Sequence, residues 1–257
     1  MHDIGAGANA SVASLLFAPG GRPGAEQVRA LADIDPTFVV SLEPEEPDEA
    51  GYGGVPTVHW IELLANGLTF DLEGLAPGEP LALPPRAHVY GLPPEVQDRP
   101  LEAIRLLPGP HIAAGGRMLP VLRQMAWLAA RLAALPGVQV VAWHAARTWC
   151  GPGHFRESVI RWMEGGAFPG LGLTALAPAQ DGCLQSEGLA LFTGQELRID
   201  PALASDRAAA ARLALRLLHW LVDNGRLDRP VHLAGPGGEP LLLEPSTNGH
   251  FVGVWRE

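Results

Sequence analysis

Two long segments with helical periodicity lie among many short, strand-like apolar runs, and this mixture predicts an α+β fold. In residues 117–135 apolar side chains recur at steps of three and four, from Met118 through Met125 to Leu132, and Pro136-Gly137 ends the segment. The second long segment covers 201–224. Between the two, Val138–Trp143 is a nearly continuous apolar run and predicts a strand. The same reading predicts a short helix at 25–34, a hairpin turn at Asn66-Gly67 and a strand at 189–193. We therefore predict mixed or antiparallel sheets covered by two long helices.

The order of predicted elements repeats on either side of Pro136: strand, short helix, strand, hairpin and long helix. Residues 41–44 resemble 175–178, and 67–71 resemble 196–200. An internal repeat would give two ferredoxin-like halves forming a pseudo-dimer, whereas short strands of similar composition also match by chance, and both explanations stay open. On this pattern we predict an N-terminal αβ unit at 1–136 and a C-terminal αβ unit at 137–257, with packing into one globular body as an option.

Charge and residue usage exclude several classes of function. The net charge of −10 argues against a nucleic-acid partner, because nucleic-acid binding needs clustered positive charge. All 18 basic residues are arginine, which excludes a P-loop lysine and a lysine Schiff base. The glycine-rich stretches at 5–10 and 235–238 do not lie between a strand and a helix, as a dinucleotide site requires. We predict no cofactor.

Location is predicted from three further features. The longest apolar stretch, 118–135, is interrupted by Arg123, Gln124 and Arg131, so we expect no membrane span. Residues 1–5 do not resemble a secretory signal, and two cysteines make no disulfide scaffold. We expect a soluble, cytoplasmic protein without a membrane partner.

Cys150 is the clearest candidate nucleophile. It precedes a helix predicted at 154–164 and is flanked by His144 and His154. A nearby histidine base and a helix N-terminus would both favour a reactive thiolate. The alternative is an inert thiol beside capping or surface histidines. Cys150 and His154 also have a spacing found in zinc sites, but no second ligand pair is visible, so we predict no metal site.

Glu187 and Glu196 are the candidate acid/base carboxylates. They lie at opposite ends of a hairpin predicted at 186–196. General acid catalysis would require burial of one of them, and the alternative is a pair of solvated surface carboxylates.

The second half of the chain resembles a known family. Residues 168–173, 186–197 and the ending Leu243-Glu244-Pro245-Ser246 resemble the bacterial domain-of-unknown-function family 4261. The helix predicted at 208–222 and the strand ending in Ala142-Trp143 fit the same pattern, so the resemblance covers approximately 137–254. Where other members have a small polar residue after the tryptophan, this chain has His144. The family has no established activity, and the resemblance implies only accessory or toxin-immunity-like roles.

We therefore expect a non-catalytic binding, adaptor or immunity-type protein with a protein partner, for which a basic surface would suit the acidic chain. The alternative is a hydrolase that uses Cys150 with His144 or His154, or the carboxylates Glu187 and Glu196. Exposed tryptophans favour interfaces, and Trp149 and Trp255 are the two expected to be partly exposed. The predicted binding residues are Glu187, Gln195, Glu196, Ser246, Asn248, Trp149 and Trp255.

Overall fold

A computed structural model describes residues 12–43 and 59–256. The strands are β1 (Ala13–Phe17), β2 (Val39–Leu42), β3 (Trp60–Ala65), β4 (Leu68–Glu73), β5 (His88–Tyr90), β6 (Glu102–Pro108), β7 (Val138–Trp143), β8 (Thr148–Cys150), β9 (Ala175–Pro178), β10 (Leu184–Glu187), β11 (Glu196–Ile199), β12 (Val231–Ala234), β13 (Pro240–Pro245) and β14 (Phe251–Arg256). The α-helices are α1 (Ala25–Ile34), α2 (Pro94–Gln97), α3 (Leu119–Leu132), α4 (Pro152–Met163), α5 (Ala190–Thr193), α6 (Pro201–Ala204) and α7 (Arg207–Asn224). Short 3-10 turns occupy Ala113–Gly115 and His144–Ala146.

The first sheet has eight strands in the order β2-β3-β4-β6-β1-β7-β8-β5. All of its pairs are antiparallel except β5 with β8. The long helix α3 packs across β1, β4 and β6 through its apolar face, on which Leu122, Met125 and Ala129 are fully buried.

The second sheet has six strands in the order β12-β13-β14-β11-β10-β9. It is antiparallel except for the central pair β11 and β14. The second long helix, α7, packs on β11 and begins at Asp206, whose carboxylate accepts hydrogen bonds from the Ala208 and Ala209 amides. An α+β fold with mixed sheets and a long helix on each is therefore confirmed.

One apolar core joins both sheets. Leu15 of β1 and Leu197 of β11 belong to the same cluster of buried side chains. An aromatic chain runs through it: the ring of Trp143 stacks on Phe192 at 6.3 Å, and Phe168 meets Phe192 edge-on at 5.0 Å. A smaller apolar cluster covers the opposite face of the first sheet around Leu16, Val140 and Trp149.

Several predicted elements are confirmed and others are corrected. The helix at Ala25–Ile34, the strand at Val138–Trp143 and the hairpin turn at Asn66-Gly67 are present. The strand predicted at 189–193 is wrong, because Ala190–Thr193 forms a helical turn. The single helix predicted at 201–224 is divided into α6 and α7, since Asp206 caps a new helix start.

The chain passes through the same succession of elements in both sheets: a strand, a helical segment and three further strands. In the first sheet β1, α1, β2, β3 and β4 follow one another, and in the second β11, the α6–α7 pair, β12, β13 and β14 do the same. This path differs from the βαββαβ order of a ferredoxin-like half. The predicted boundary at 136 falls inside the first sheet, because β7 pairs with β1. The compared segment 67–71 overlaps β4 and the segment 196–200 contains β11, and these two strands have different positions in the order of elements.

Among the described helices, none combines the length and the apolar character needed to cross a membrane.

Candidate functional site

A cluster of charged side chains connects β5, the edge strand of the first sheet, with β10 of the second sheet. Glu187, at the end of β10, is bound by the guanidinium of Arg147, with Nη2 2.9 Å from Oε2. The Nε2 of His88, on β5, lies 2.9 Å from the same oxygen. Burial alone would raise the pKa of Glu187, but the hydrogen bonds from Arg147 and His88 outweigh it and hold the pKa below its usual value. Glu187 is therefore an ionised carboxylate that joins the two sheets.

Arg147 is held in place by its backbone as well. It follows the turn His144–Ala146 and adopts a left-handed conformation, with φ 49° and ψ 37°. Its carbonyl oxygen accepts hydrogen bonds from the amides of Ala87 and His88, at 2.8 and 3.2 Å. The left-handed backbone conformation costs an arginine roughly 1–2 kcal/mol, and these hydrogen bonds offset that cost. They also position Arg147 and His88, the two partners of Glu187.

Glu196 is bound almost entirely by the main chain. Its carboxylate accepts hydrogen bonds from the Gly188, Leu189 and Ala190 amides at 2.9, 3.2 and 3.0 Å, and from the Ser186 hydroxyl. Burial raises the pKa of Glu196, and these hydrogen bonds oppose part of the rise. The side chain stabilises the turn that leads into α5.

Glu187 and Glu196 line one cavity of about 290 Å³, together with Arg147 and the 177–179 segment. The structure thus brings two predicted residues together. Glu187 is neutralised by Arg147, however, and both oxygens of Glu196 are engaged by protein donors. Neither carboxylate is free to exchange a proton with a substrate, so this geometry does not favour acid/base catalysis.

Cys150 is fully buried at the end of β8. Burial raises the pKa of its thiol to about 12, against a partial opposing effect of Thr148. The flanking histidines bond elsewhere: His144 Nε2 lies 2.9 Å from the Ser14 hydroxyl, and His154 Nε2 lies 3.2 Å from the Leu171 carbonyl oxygen. The helix N-terminus does not give Cys150 the low pKa that a nucleophile needs.

We expect Cys150 to react with a disulfide reagent at pH 7 at least about 100-fold more slowly in the folded protein than in urea, because both the thiolate fraction and access are low. The measurement uses Cys183→Ser, so that a single thiol is followed. Reaction of the folded variant at the rate of a free thiol would contradict the burial of Cys150.

The remaining predicted residues stabilise local structure in separate places. Gln195 is buried, and its amide bonds both backbone groups of Leu227 at 2.8 and 3.0 Å. Ser246 and Asn248 bond each other and the amides of Phe251 and His250 within the β13–β14 turn. These three residues do not line the groove between α7 and β12, which Leu217, Trp220 and Leu233 form with their neighbours.

The two tryptophans predicted to be partly exposed differ. Trp149 is only 5% exposed, contrary to the prediction, because it packs in the smaller apolar cluster and lies under the guanidinium of Arg86. Trp255 is 39% exposed, as predicted, on the face of the second sheet opposite α7.

A surface that was not predicted from the sequence lies on the outermost strands of the first sheet. Val39 and Leu42 on β2 are each 50% exposed. An irregular register at Ser41 places Val39 opposite Leu64 and Leu42 opposite Glu62, so both side chains lie on the same face. Within the described part of the chain, no strand pairs with the outer edge of β2.

Three carboxylates continue this face onto β3 and β4. Glu62 lies directly opposite Asp71, and Glu73 follows two residues later on the same face. Burial and the charges of Glu62 and Glu73 raise the pKa of Asp71. Among the described residues, Asp71 Oδ1 has no hydrogen-bond partner. We call Val39, Leu42, Leu64, Glu62, Asp71 and Glu73 the edge surface.

No family model, curated protein or solved structure matches the chain. The resemblance of 137–254 to family 4261 therefore stays a prediction.

Proposed function

We propose that this protein is a non-catalytic binding protein whose edge surface takes up an extended, basic segment of a protein partner. The observation that supports the proposal most strongly is that no described strand pairs with the outer edge of β2, which carries two half-exposed apolar side chains on one face. Exposed apolar edge strands are ready templates for pairing with another chain. Adding a strand there would satisfy the main-chain groups of β2 and give the partner a fixed register.

The apolar part of the edge surface supplies binding energy. Covering the exposed halves of Val39 and Leu42 is worth roughly 1 kcal/mol each. Leu64 lies beside Val39 and extends the same contact.

The acidic part of the edge surface supplies the preference for a basic partner. Burial, with the neighbouring charges of Glu62 and Glu73, raises the pKa of Asp71, so the described part of this surface lacks a nearby positive charge for that carboxylate. Glu62 lies on β3, next to β2, and is the carboxylate nearest to an added strand. Asp71 and Glu73 lie farther in on β4 and, with the net charge of −10, would attract a basic partner to this face.

Within this class we propose an adaptor or immunity-type role in the cytoplasm of a bacterium, in line with the resemblance to family 4261. A toxin gene beside this one would support the immunity-type role, and its absence across several genomes would oppose it.

We expect a short peptide of alternating valine and arginine to bind at least about tenfold more tightly than its valine–glutamate counterpart, measured by fluorescence anisotropy. Val39→Lys and Leu42→Lys should each weaken binding at least about tenfold, because a lysine on an edge strand opposes pairing and repels the peptide. Asp71→Asn should weaken binding of the arginine peptide while it raises the stability of the protein, since it removes crowded charge.

The matched control is Leu83→Lys, which adds the same charge at an exposed leucine outside the edge surface. Equal loss of binding in Leu83→Lys and Val39→Lys would mean that peptide binding depends only on the net charge of the protein, and it would overturn the proposal.

A further inference from the structure

A second cavity, of about 280 Å³, lies between the second sheet and its helices. The turn joining β9 and β10 forms one wall, and α6 with the start of α7 forms the other. The lining residues are Pro178, Gly182, Cys183, Leu184, Ala204, Arg207 and Ala210.

Small and apolar side chains create this space. Ala204 and Ala210 on the helices and Gly182 on the turn line the cavity with short side chains, and Leu184 at the start of β10 adds an apolar one. At about 30 Å³ for each water-sized group, the volume accommodates about nine non-hydrogen atoms. The occupant that fits is a small molecule with an apolar portion.

Arg207 gives the cavity its charge. It is the one charged side chain among the described residues of the lining, and it has no ion pair within the described part of the chain.

The neighbouring carboxylates are engaged with other groups. Asp206 accepts from the Ala208 and Ala209 amides, Asp200 accepts from the Ala202 amide, and Asp181 pairs with Arg198. The guanidinium of Arg207 therefore remains available for an anion, and guanidinium binds a carboxylate through two parallel hydrogen bonds.

We propose that this cavity binds a small monocarboxylic acid with an apolar tail of about five or six carbon atoms. The tail occupies the space between Ala204, Ala210 and Leu184, and the carboxylate pairs with Arg207. The site is separate from the edge surface, so either proposal can fail alone.

The test titrates the intact protein with hexanoate, hexanol and hexylamine and follows backbone amide shifts by NMR. Hexanoate should bind at least about tenfold more tightly than hexanol, which has the same number of carbon atoms and no charge, and hexylamine should be the weakest. The shifts should centre on residues 178–184 and 204–210. Equal binding of hexanoate and hexanol, or shifts centred elsewhere, would overturn the proposal.

Three variants separate the roles of charge and space. Arg207→Gln should weaken hexanoate binding at least about fivefold, while Arg212→Gln, which removes the same charge from an exposed position of α7, should leave it unchanged. Ala204→Phe should fill the cavity and abolish binding. Unchanged binding in Arg207→Gln or in a folded Ala204→Phe protein would contradict the site.

The thiol of Cys183 offers a second readout, because it lines this cavity whereas Cys150 is fully buried. Hexanoate should slow alkylation of Cys183 in proportion to occupancy, and hexanol at the same concentration should not. An alkylation rate of Cys183 that does not change when hexanoate is added would count against occupation of the cavity.

Discussion

Replacing Glu196 by alanine is expected to lower the free energy of unfolding by about 3–5 kcal/mol. The substitution removes the acceptor for three backbone amides and the Ser186 hydroxyl, and each buried donor left without an acceptor costs about 1–3 kcal/mol. Urea unfolding measures the change. Glu196→Gln keeps one acceptor oxygen and should show a smaller loss.

The matched control is Glu244→Ala on β13, an exposed glutamate whose loss should change stability by no more than about 0.5 kcal/mol. A loss below about 1 kcal/mol in Glu196→Ala would mean that the turn before α5 does not depend on this carboxylate.

Lowering the pH from 7 to 4 is expected to destabilise the protein by up to about 3 kcal/mol through His144 alone. Burial, assisted by the charge of Arg105, lowers the pKa of His144 from 6.5 to about 4. Since the unfolded chain takes up a proton at this residue before the folded protein does, stability is complete above about pH 6.5 and is lost as the pH falls toward 4.

Urea unfolding at several pH values measures the slope, that is, how steeply the free energy of unfolding falls with pH. His144→Gln should remove most of it between pH 6.5 and 4.5, whereas His111→Gln, at an exposed position, should leave it in place. Four carboxylates have a lowered pKa and add their own loss of stability below their usual pKa values, so they act mainly below this pH range: Asp35, Glu102, Glu187 and Asp206. An unchanged slope in His144→Gln would contradict the burial of a neutral histidine.

Local sequence signals were sufficient where local forces decide the structure. The α1 helix, the β7 strand and the Asn66-Gly67 turn follow from periodicity and turn chemistry, and they are present. The run 189–193 has strand-like composition but forms a helical turn, because Glu196 binds the amides that lead into it. Side-chain contacts of this kind, which here join residues six to eight positions apart, leave no periodic pattern in a sequence.

The candidate sites illustrate the same limit. Glu187 was identified from its sequence, but its partners His88 and Arg147 are 99 and 40 residues away and come from another sheet. Alternation along 39–42 would place Val39 and Leu42 on opposite faces, and only the register with β3 places them together. Trp149 was expected to be partly exposed and Cys150 was a candidate nucleophile, but both are buried because the apolar cover of β8 comes from distant strands.

Hydrogen exchange of the backbone amides tests the central proposal most directly. When the valine–arginine peptide is bound, we expect exchange to slow at residues 39–42 of β2 and to stay unchanged at Val231–Ala234, the outer strand of the second sheet. Protection confined to β2, and lost in Val39→Lys, is the result that strand addition predicts. Bound peptide with unchanged exchange at 39–42, or with equal protection at Val231–Ala234, would contradict it.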